Sequence, residues 1–374
     1  MHRFSSRFRS PVKRLGAEQH ILVTLLAFAL SVSLTRLFLA LTGYPQIGGE
    51  VFHIAHALWG GLLLYIAALL PLVLANRWVY MVGAVLTGMG VGLFIDEVGK
   101  FITQANDYFF PLAAPIVYAF FLLSVGMYLR VRRPRERSVR GELFRALEAL
   151  EEALEQDLDP EEKADLEEQL TFVMANSTQP HMALLARNLL DFIHSDSLQI
   201  VPRQMGLVER TMVRWRAFET RWLSRRKVKA GIVLGLLLVG GIILVKMSFA
   251  ARALQGALAV PLDPVAERSL NLFQEIFGTN VYVERGLFRY LDIALETLVS
   301  ISMVLSAVLF TFGRERFATA LANMGLLLAL TGVNLLVFYY DQFSNIVIAG
   351  LQLILLVSIG YYRQRYLKTD PMVS

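Results

Sequence analysis

The sequence contains no cysteine in its 374 residues. Disulfide bonds, thiolate metal ligands and cysteine nucleophiles are therefore excluded. Histidine is also scarce, with six in the chain, and this count disfavours haem groups held by pairs of histidines across several membrane spans. The P-loop, the G-x-S-x-G elbow and the H-E-x-x-H zinc motif are missing from the sequence. The evidence for function must therefore come from hydrophobic runs and from the placement of charged residues.

Hydrophobic residues make up 55% of the chain, and its mean hydropathy is +0.51. Soluble domains are about 45–50% apolar, so the excess indicates membrane spans and a lipid bilayer as the surrounding medium. The formal net charge is +5, but the basic residues cluster at the ends of hydrophobic runs. This distribution is typical of a membrane protein and gives no indication of nucleic-acid binding.

A helix that crosses a bilayer needs about 20 predominantly apolar residues. Eight segments of the sequence meet this requirement: 20–43, 53–74, 79–95, 111–129, 230–251, 288–311, 317–340 and 345–362. The first of them follows a basic head, but it is longer than the apolar core of about 7–15 residues in a signal peptide. The sequence therefore predicts an all-α membrane protein with eight spans, the first of which is not cleaved.

Lys and Arg lie at alternate ends of these spans. They crowd the N-terminus, the stretches 130–137 and 221–229, and the C-terminal tail. The loop 44–52 has none, and the loop 96–110 has only Lys100. Loops rich in Lys and Arg stay in the cytoplasm. The sequence therefore predicts a multi-pass protein of the cell membrane with both termini in the cytoplasm.

An insert of different composition, 131–229, separates the fourth span from the fifth. Its stretch 142–170 holds twelve acidic residues and two basic ones. Pro160 follows an aspartate and precedes two glutamates, and Pro180 follows a polar stretch; both patterns are typical of helix starts. We interpret the insert as a small cytoplasmic helical domain, either a hairpin that joins the membrane halves or a docking surface for a protein partner.

The two membrane halves, 1–130 and 230–374, share a sequence pattern. Each ends its fourth span in Ser-x-Gly-x-Tyr, and aligning the two patterns places Asp107 on Asp341. We therefore predict two four-helix halves related by duplication and, since each has an even number of spans, parallel in the membrane. The second half has a longer outer loop, in which an amphipathic helix is predicted near 263–278.

Charged and amide side chains in or beside the outer half of the spans are the candidate functional residues. An ionisable group inside a span costs about 2.5–3.5 kcal/mol on insertion scales, and such groups usually face the bundle interior. The candidates for a substrate or ion pathway are Arg36, Asp96, Glu97, Lys100, Asp107, Lys246, Asp292, Glu296, Asn334 and Asp341.

Three interpretations of these residues stay open at the level of the sequence. They form buried structural ion pairs in a non-catalytic scaffold or sensor, or they line a transport-like pathway for a charged or amphipathic solute. Alternatively, His53, His56 and Asp96 hold a divalent metal, since two histidines and a carboxylate leave an open position for water. That metal would serve a membrane-embedded hydrolase or transferase that acts on a lipid or envelope substrate.

Asp96 belongs to "FIDEVGK", which breaks the end of the third apolar run. A carboxylate that faces hydrocarbon would have to take up a proton, whereas a basic partner keeps it charged. We therefore expect Asp96 to face the protein interior within reach of Arg36, His53 or His56, with Arg36 as the leading candidate.

The predicted topology can be tested with reporter fusions. A fusion after Gln104 should report the outer side and a fusion after Asn176 the cytoplasm, because Lys and Arg are concentrated on one side of the predicted spans. The measurement is the activity of a reporter that works in only one compartment. The same signal from both fusions would contradict the topology.

Overall fold

The computed structural model describes residues 11–43, 55–133, 137–154, 160–195, 224–256 and 287–367. Within these ranges the chain is helical and contains no β-strand. Thirteen α-helices are found there: α1 (Ala17–Thr42), α2 (His56–Val73), α3 (Trp78–Asp96), α4 (Val98–Ile102), α5 (Ala113–Arg132), α6 (Val139–Leu154), α7 (Pro160–Asn176), α8 (Pro180–Ile193), α9 (Arg225–Gly256), α10 (Leu287–Thr311), α11 (Glu315–Leu328), α12 (Asn334–Asp341) and α13 (Ile346–Tyr362).

Eight helical segments among the described residues are long and apolar enough to cross a membrane. Seven are α1, α2, α3, α5, α9, α10 and α13, and the eighth joins α11 to α12 through a π-helical turn, Ala329–Val333. The prediction of an all-α, polytopic membrane protein is therefore confirmed.

The chain divides into two compact units. The first comprises Met1–Leu34, Gln46–Phe94 and Leu123–Val213, and the second comprises Thr35–Pro45, Ile95–Leu122 and Arg214–Ser374. The duplication of two membrane halves, with boundaries at 130/131 and 229/230, stays a prediction. The amphipathic helix predicted near 263–278 lies outside the described residues.

In the first unit, glycines let the spans approach closely. A Cβ atom built on Gly92 of α3 would lie 2.8 Å from the Cβ of Ser31 in α1, and one built on Gly88 would overlap the backbone of Thr24. Such close approach at small residues is the usual basis of helix packing in membranes. The small residues of α3 therefore allow tight packing against α1.

The described part of the insert between 137 and 195 contains three helices, α6, α7 and α8, and the latter two begin at Pro160 and Pro180 as predicted. They bury a shared apolar core that includes Leu166 and Ile193. The Leu15 backbone N–H donates to Glu148 of α6 over 2.9 Å. This contact ties the insert to the residues that precede the first span.

The second unit is built around α9, α10, α11–α12 and α13, which share one apolar core. Its fully buried side chains include Leu236, Met303, Phe310, Leu326 and Ile359. This core supports the polar residues described below.

Two adjacent glycines of α2 allow a matched test of the helix packing. A Cβ on Gly60 would lie 2.7 Å from the Gly90 carbonyl oxygen, whereas one on Gly61 would meet nothing within 4 Å. Gly60→Ala should destabilise the protein by about 1–3 kcal/mol through overpacking. Gly61→Ala should be neutral or stabilising, because alanine favours helix by about 1 kcal/mol over glycine. Thermal unfolding in detergent measures both, and equal melting temperatures would contradict the packing.

Candidate functional site

Among the described residues of the second unit, two ion pairs have both partners buried, and the first of them joins α1 to the end of α3. Arg36 Nε donates to Asp96 Oδ1 over 2.6 Å, and Arg36 Nη2 donates to the backbone carbonyl of Asp96 over 3.1 Å. The Tyr108 hydroxyl donates to the other carboxylate oxygen, Oδ2, over 2.6 Å. Arg36 is 8% exposed and Asp96 is fully buried. The expected pairing of Asp96 with Arg36 is confirmed.

Aromatic rings complete the surroundings of this arginine. The Arg36 guanidinium carbon lies 4.0 Å from the centre of the Tyr108 ring and 3.7 Å from the centre of the Phe343 ring. A guanidinium over an aromatic face gains electrostatic attraction, and more so when water is excluded. We refer to Arg36, Asp96, Tyr108 and Phe343 as the arginine clasp.

The second ion pair joins α9 to α10. Lys246 Nζ lies 3.4 Å from Glu296 Oε1, and the two residues are 7% and 5% exposed. Asp292 lies one turn before Glu296 and is also buried. One turn after Glu296, the Ser300 hydroxyl donates to the Gly240 carbonyl of α9. This hydrogen bond adds a second link between the two helices on one side of the ion pair.

A cavity of about 10 Å³ adjoins this pair. Three buried amide side chains face it: Asn334 at the start of α12, Asn345 just before α13, and Gln352 within α13. Asn334 Nδ2 donates to Gln352 Oε1 over 2.9 Å. We refer to Lys246, Glu296, these three amides and the cavity as the lysine site.

The lysine site lies where the seventh span departs from α-helical geometry. The π-helical turn Ala329–Val333 contributes two residues to the cavity wall. The Leu330 carbonyl in this turn accepts a hydrogen bond of 2.5 Å from Tyr118 of α5. Asn334 Nδ2 lies 3.4 Å from the same hydroxyl. Single π-helical turns are rare and are frequently found at functional sites.

Three polar groups of the lysine site, Glu296, Gln352 and Asn334, share one depth. Glu296 lies six residues inside the span Tyr290–Thr311, and Gln352 six residues inside Ile346–Leu367. Asn334 lies six residues before the end of Glu315–Tyr340. At 1.5 Å per residue these positions are about 9 Å from the same end of their spans, the end predicted to face outward.

A separate polar cluster lies at the opposite end of the same helices. Glu315 accepts from Arg225 Nη2 over 2.9 Å and from Lys229 Nζ over 2.8 Å, and the Tyr362 hydroxyl donates to it over 2.7 Å. Apolar core residues, among them Met303, fill the bundle between this cluster and the lysine site. In this conformation the core separates the lysine site from the end predicted to be cytoplasmic.

The 3-10 turn Gln342–Asn345 contributes to both sites. Phe343 stacks on Arg36, and Asn345 faces the cavity. Gln342 has a positive φ of 49°, and its amide donates to the Phe109 carbonyl over 2.8 Å. A shift of this turn would therefore change the contacts of both sites.

The other predicted pathway residues are placed differently. Lys100 pairs with Glu97 over 3.0 Å, one turn apart at the start of α4. Asp107 is exposed and accepts the Phe109 backbone N–H over 2.9 Å, as in a turn. Asp341 ends α12, and its side chain lies outside the description.

The predicted metal ligands fall partly outside the described residues. His53 is among those not described, and His56 begins α2. Both carboxylate oxygens of Asp96 accept hydrogen bonds in the arginine clasp. Within the described ranges no group of three His, Asp or Glu side chains has the geometry of a metal site. The metal hypothesis stays a prediction, and Asp96 would have to leave its partners to serve as a ligand.

Several residues of these clusters were not predicted from the sequence, among them Tyr108, Tyr118, Gln352, Asn345 and Glu315. Gln352 left a signal, because it is the single amide in the apolar stretch of α13. Tyr118 left none, since tyrosines near span ends are usually interfacial anchors. No family model, no curated protein and no solved structure matches the chain significantly.

Proposed function

We propose that this integral membrane protein transports a small charged solute through the lysine site. One observation carries the proposal: a buried ion pair, two buried amides within the spans and a third buried amide in the turn before α13 line one cavity. Buried ionisable residues that face a polar cavity within a membrane mark substrate and ion pathways.

The contrast with the arginine clasp supports a functional role for the lysine site. In the clasp, both carboxylate oxygens are bound over 2.6 Å and two rings cover the guanidinium. Such geometry compensates the desolvation of a buried ion pair. The Lys246–Glu296 pair is longer, at 3.4 Å, and adjoins a cavity. A looser pair beside polar groups can exchange partners, as a transported ion requires.

The π-helical turn gives the site further polar capacity. Non-helical backbone at membrane depth is tolerated where it is buried in protein or lines a cavity. Here the turn Ala329–Val333 lines the cavity and Tyr118 binds one of its carbonyls. A span held by such a bond has an alternative arrangement in which this carbonyl faces a solute.

Cysteine labelling tests the proposal, and the chain is suited to it because it has no cysteine of its own. Val299 and Met303 are buried one turn apart on α10, and of the two, Val299 lines the cavity. In sealed membrane vesicles, silver ion, a bare inorganic ion that binds thiols, should label Val299→Cys, since the pathway of a small charged solute must open to water. Met303→Cys, in the apolar core, should stay unlabelled. The measurement is the labelled fraction by mass spectrometry.

The comparison of the two positions decides the outcome. Labelling of both positions would indicate general unfolding. Far-ultraviolet circular dichroism, which reports helical content, checks whether each variant is folded. A folded protein in which Val299→Cys stays as unreactive as Met303→Cys would contradict transport and favour a structural role for the site.

A further inference from the structure

We infer that the charged species taken up by the lysine site is a proton, carried on Glu296. This inference rests on the proposed function and specifies its substrate. Three features lead to it: the size of the cavity, the position of Lys246 and the neutrality of the other groups that face Glu296 across the cavity.

The cavity is too small for an organic solute. A volume of about 10 Å³ is close to the ~10–15 Å³ needed to hold one water molecule. Amino acids, sugars and lipid headgroups are all several times larger than water. The occupants that match the cavity are therefore water, a proton carried by water, or a bare inorganic ion.

Lys246 disfavours a metal cation. Its ammonium group lies 3.4 Å from Glu296 Oε1. It therefore occupies the region in which a cation bound to this carboxylate would lie. Two like charges at such a distance repel strongly in a medium of low dielectric constant. The amide oxygen of Gln352 is also engaged, since it accepts from Asn334. A proton needs neither a shell of oxygen ligands nor the space taken by Lys246.

The groups that face Glu296 favour protonation as a switch. Lys246 approaches from α9, Asp292 lies one turn away on the same helix, and the neutral amides Asn334 and Gln352 face the cavity from the seventh and eighth spans. When Glu296 takes up a proton, the net charge of the Lys246–Glu296 pair changes from zero to +1, and the two amides stay neutral. The amides can donate to either form of the carboxyl group and so tolerate both states.

The step is a simple proton exchange. A hydronium ion in water that reaches the cavity gives its proton to a Glu296 carboxylate oxygen, where an O–H bond forms and a water molecule remains. Lys246 keeps its proton, and the attraction between Lys246 and Glu296 is lost, which weakens the link between α9 and α10. When the O–H bond breaks, the proton passes back to water and the ion pair closes again.

Proton flux into liposomes tests the inference. The full-length protein is reconstituted into liposomes that contain a pH-sensitive dye, and a potassium diffusion potential drives proton entry. The wild type should acidify the interior faster than protein-free liposomes, and Glu296→Gln should fall to the protein-free rate. Glu168→Gln is the matched control, since Glu168 is an exposed residue of the insert with 66% of its side chain accessible, and it should retain the wild-type rate.

A second readout separates a proton carrier from a structural residue. The infrared difference spectrum between acidic and alkaline buffer should show a protonated-carboxyl band that Glu296→Gln removes. Glu296→Asp should restore both a band and proton flux, because it keeps the carboxyl group. If Glu296→Gln fails to fold, the Glu296→Asp protein decides, and loss of flux and band in a folded Glu296→Asp protein would overturn the inference.

Different experimental results would contradict this inference and the transport proposal. The protein could instead carry sodium or another inorganic ion, in a way that depends on Glu296, and show no proton flux. That result would overturn the assignment of the proton as the transported ion but would agree with the transport proposal. Proton flux unchanged in folded Glu296→Gln would also overturn the inference. If Val299→Cys is unreactive as well, both proposals fail.

Discussion

A charged side chain inside a bilayer must be compensated where it lies, because no water is present to solvate it. The cost of about 2.5–3.5 kcal/mol per group on insertion scales is large beside the marginal stability of a folded protein. In the part of the second unit that the structure describes, two ion pairs with both partners buried meet this demand in different ways. The architecture of α9, α10, α11–α12 and α13 positions the Lys246–Glu296 pair, and α1 and α3 supply the residues of the Arg36–Asp96 pair.

The two ion pairs are connected through one short turn. Phe343 covers the guanidinium of the arginine clasp, and Asn345, two residues later, faces the cavity of the lysine site. The clasp thereby fixes the position of an amide that the lysine site uses. Under the proposed function, the shorter and more fully bonded clasp would hold this turn while the Lys246–Glu296 pair changes its contacts.

Much of the fold could be predicted from the sequence, because length and hydrophobicity alone decide which segments can cross a bilayer. The partner of Asp96 was also predictable, since a buried carboxylate needs a cation and Arg36 was at a suitable depth. The lysine site was less predictable from the sequence. Lys246, Glu296 and Asn334 are visible as polar residues in apolar runs, but their convergence with Asn345 depends on helix rotation, which hydropathy does not determine. The π-helical turn has no sequence signature, and it decides where Asn334 faces.

The central claim is that the two ion pairs have different roles, one structural and one functional. The most direct test compares Asp96→Asn with Glu296→Gln in two assays, thermal unfolding and proton flux per folded molecule. Breaking a well-formed buried pair costs about 3–5 kcal/mol, so Asp96→Asn should be the more destabilising change while its folded fraction retains flux. Glu296→Gln should be the less destabilising change and should lose flux. If the same variant proves more damaging in both assays, the division of roles between the two pairs is wrong.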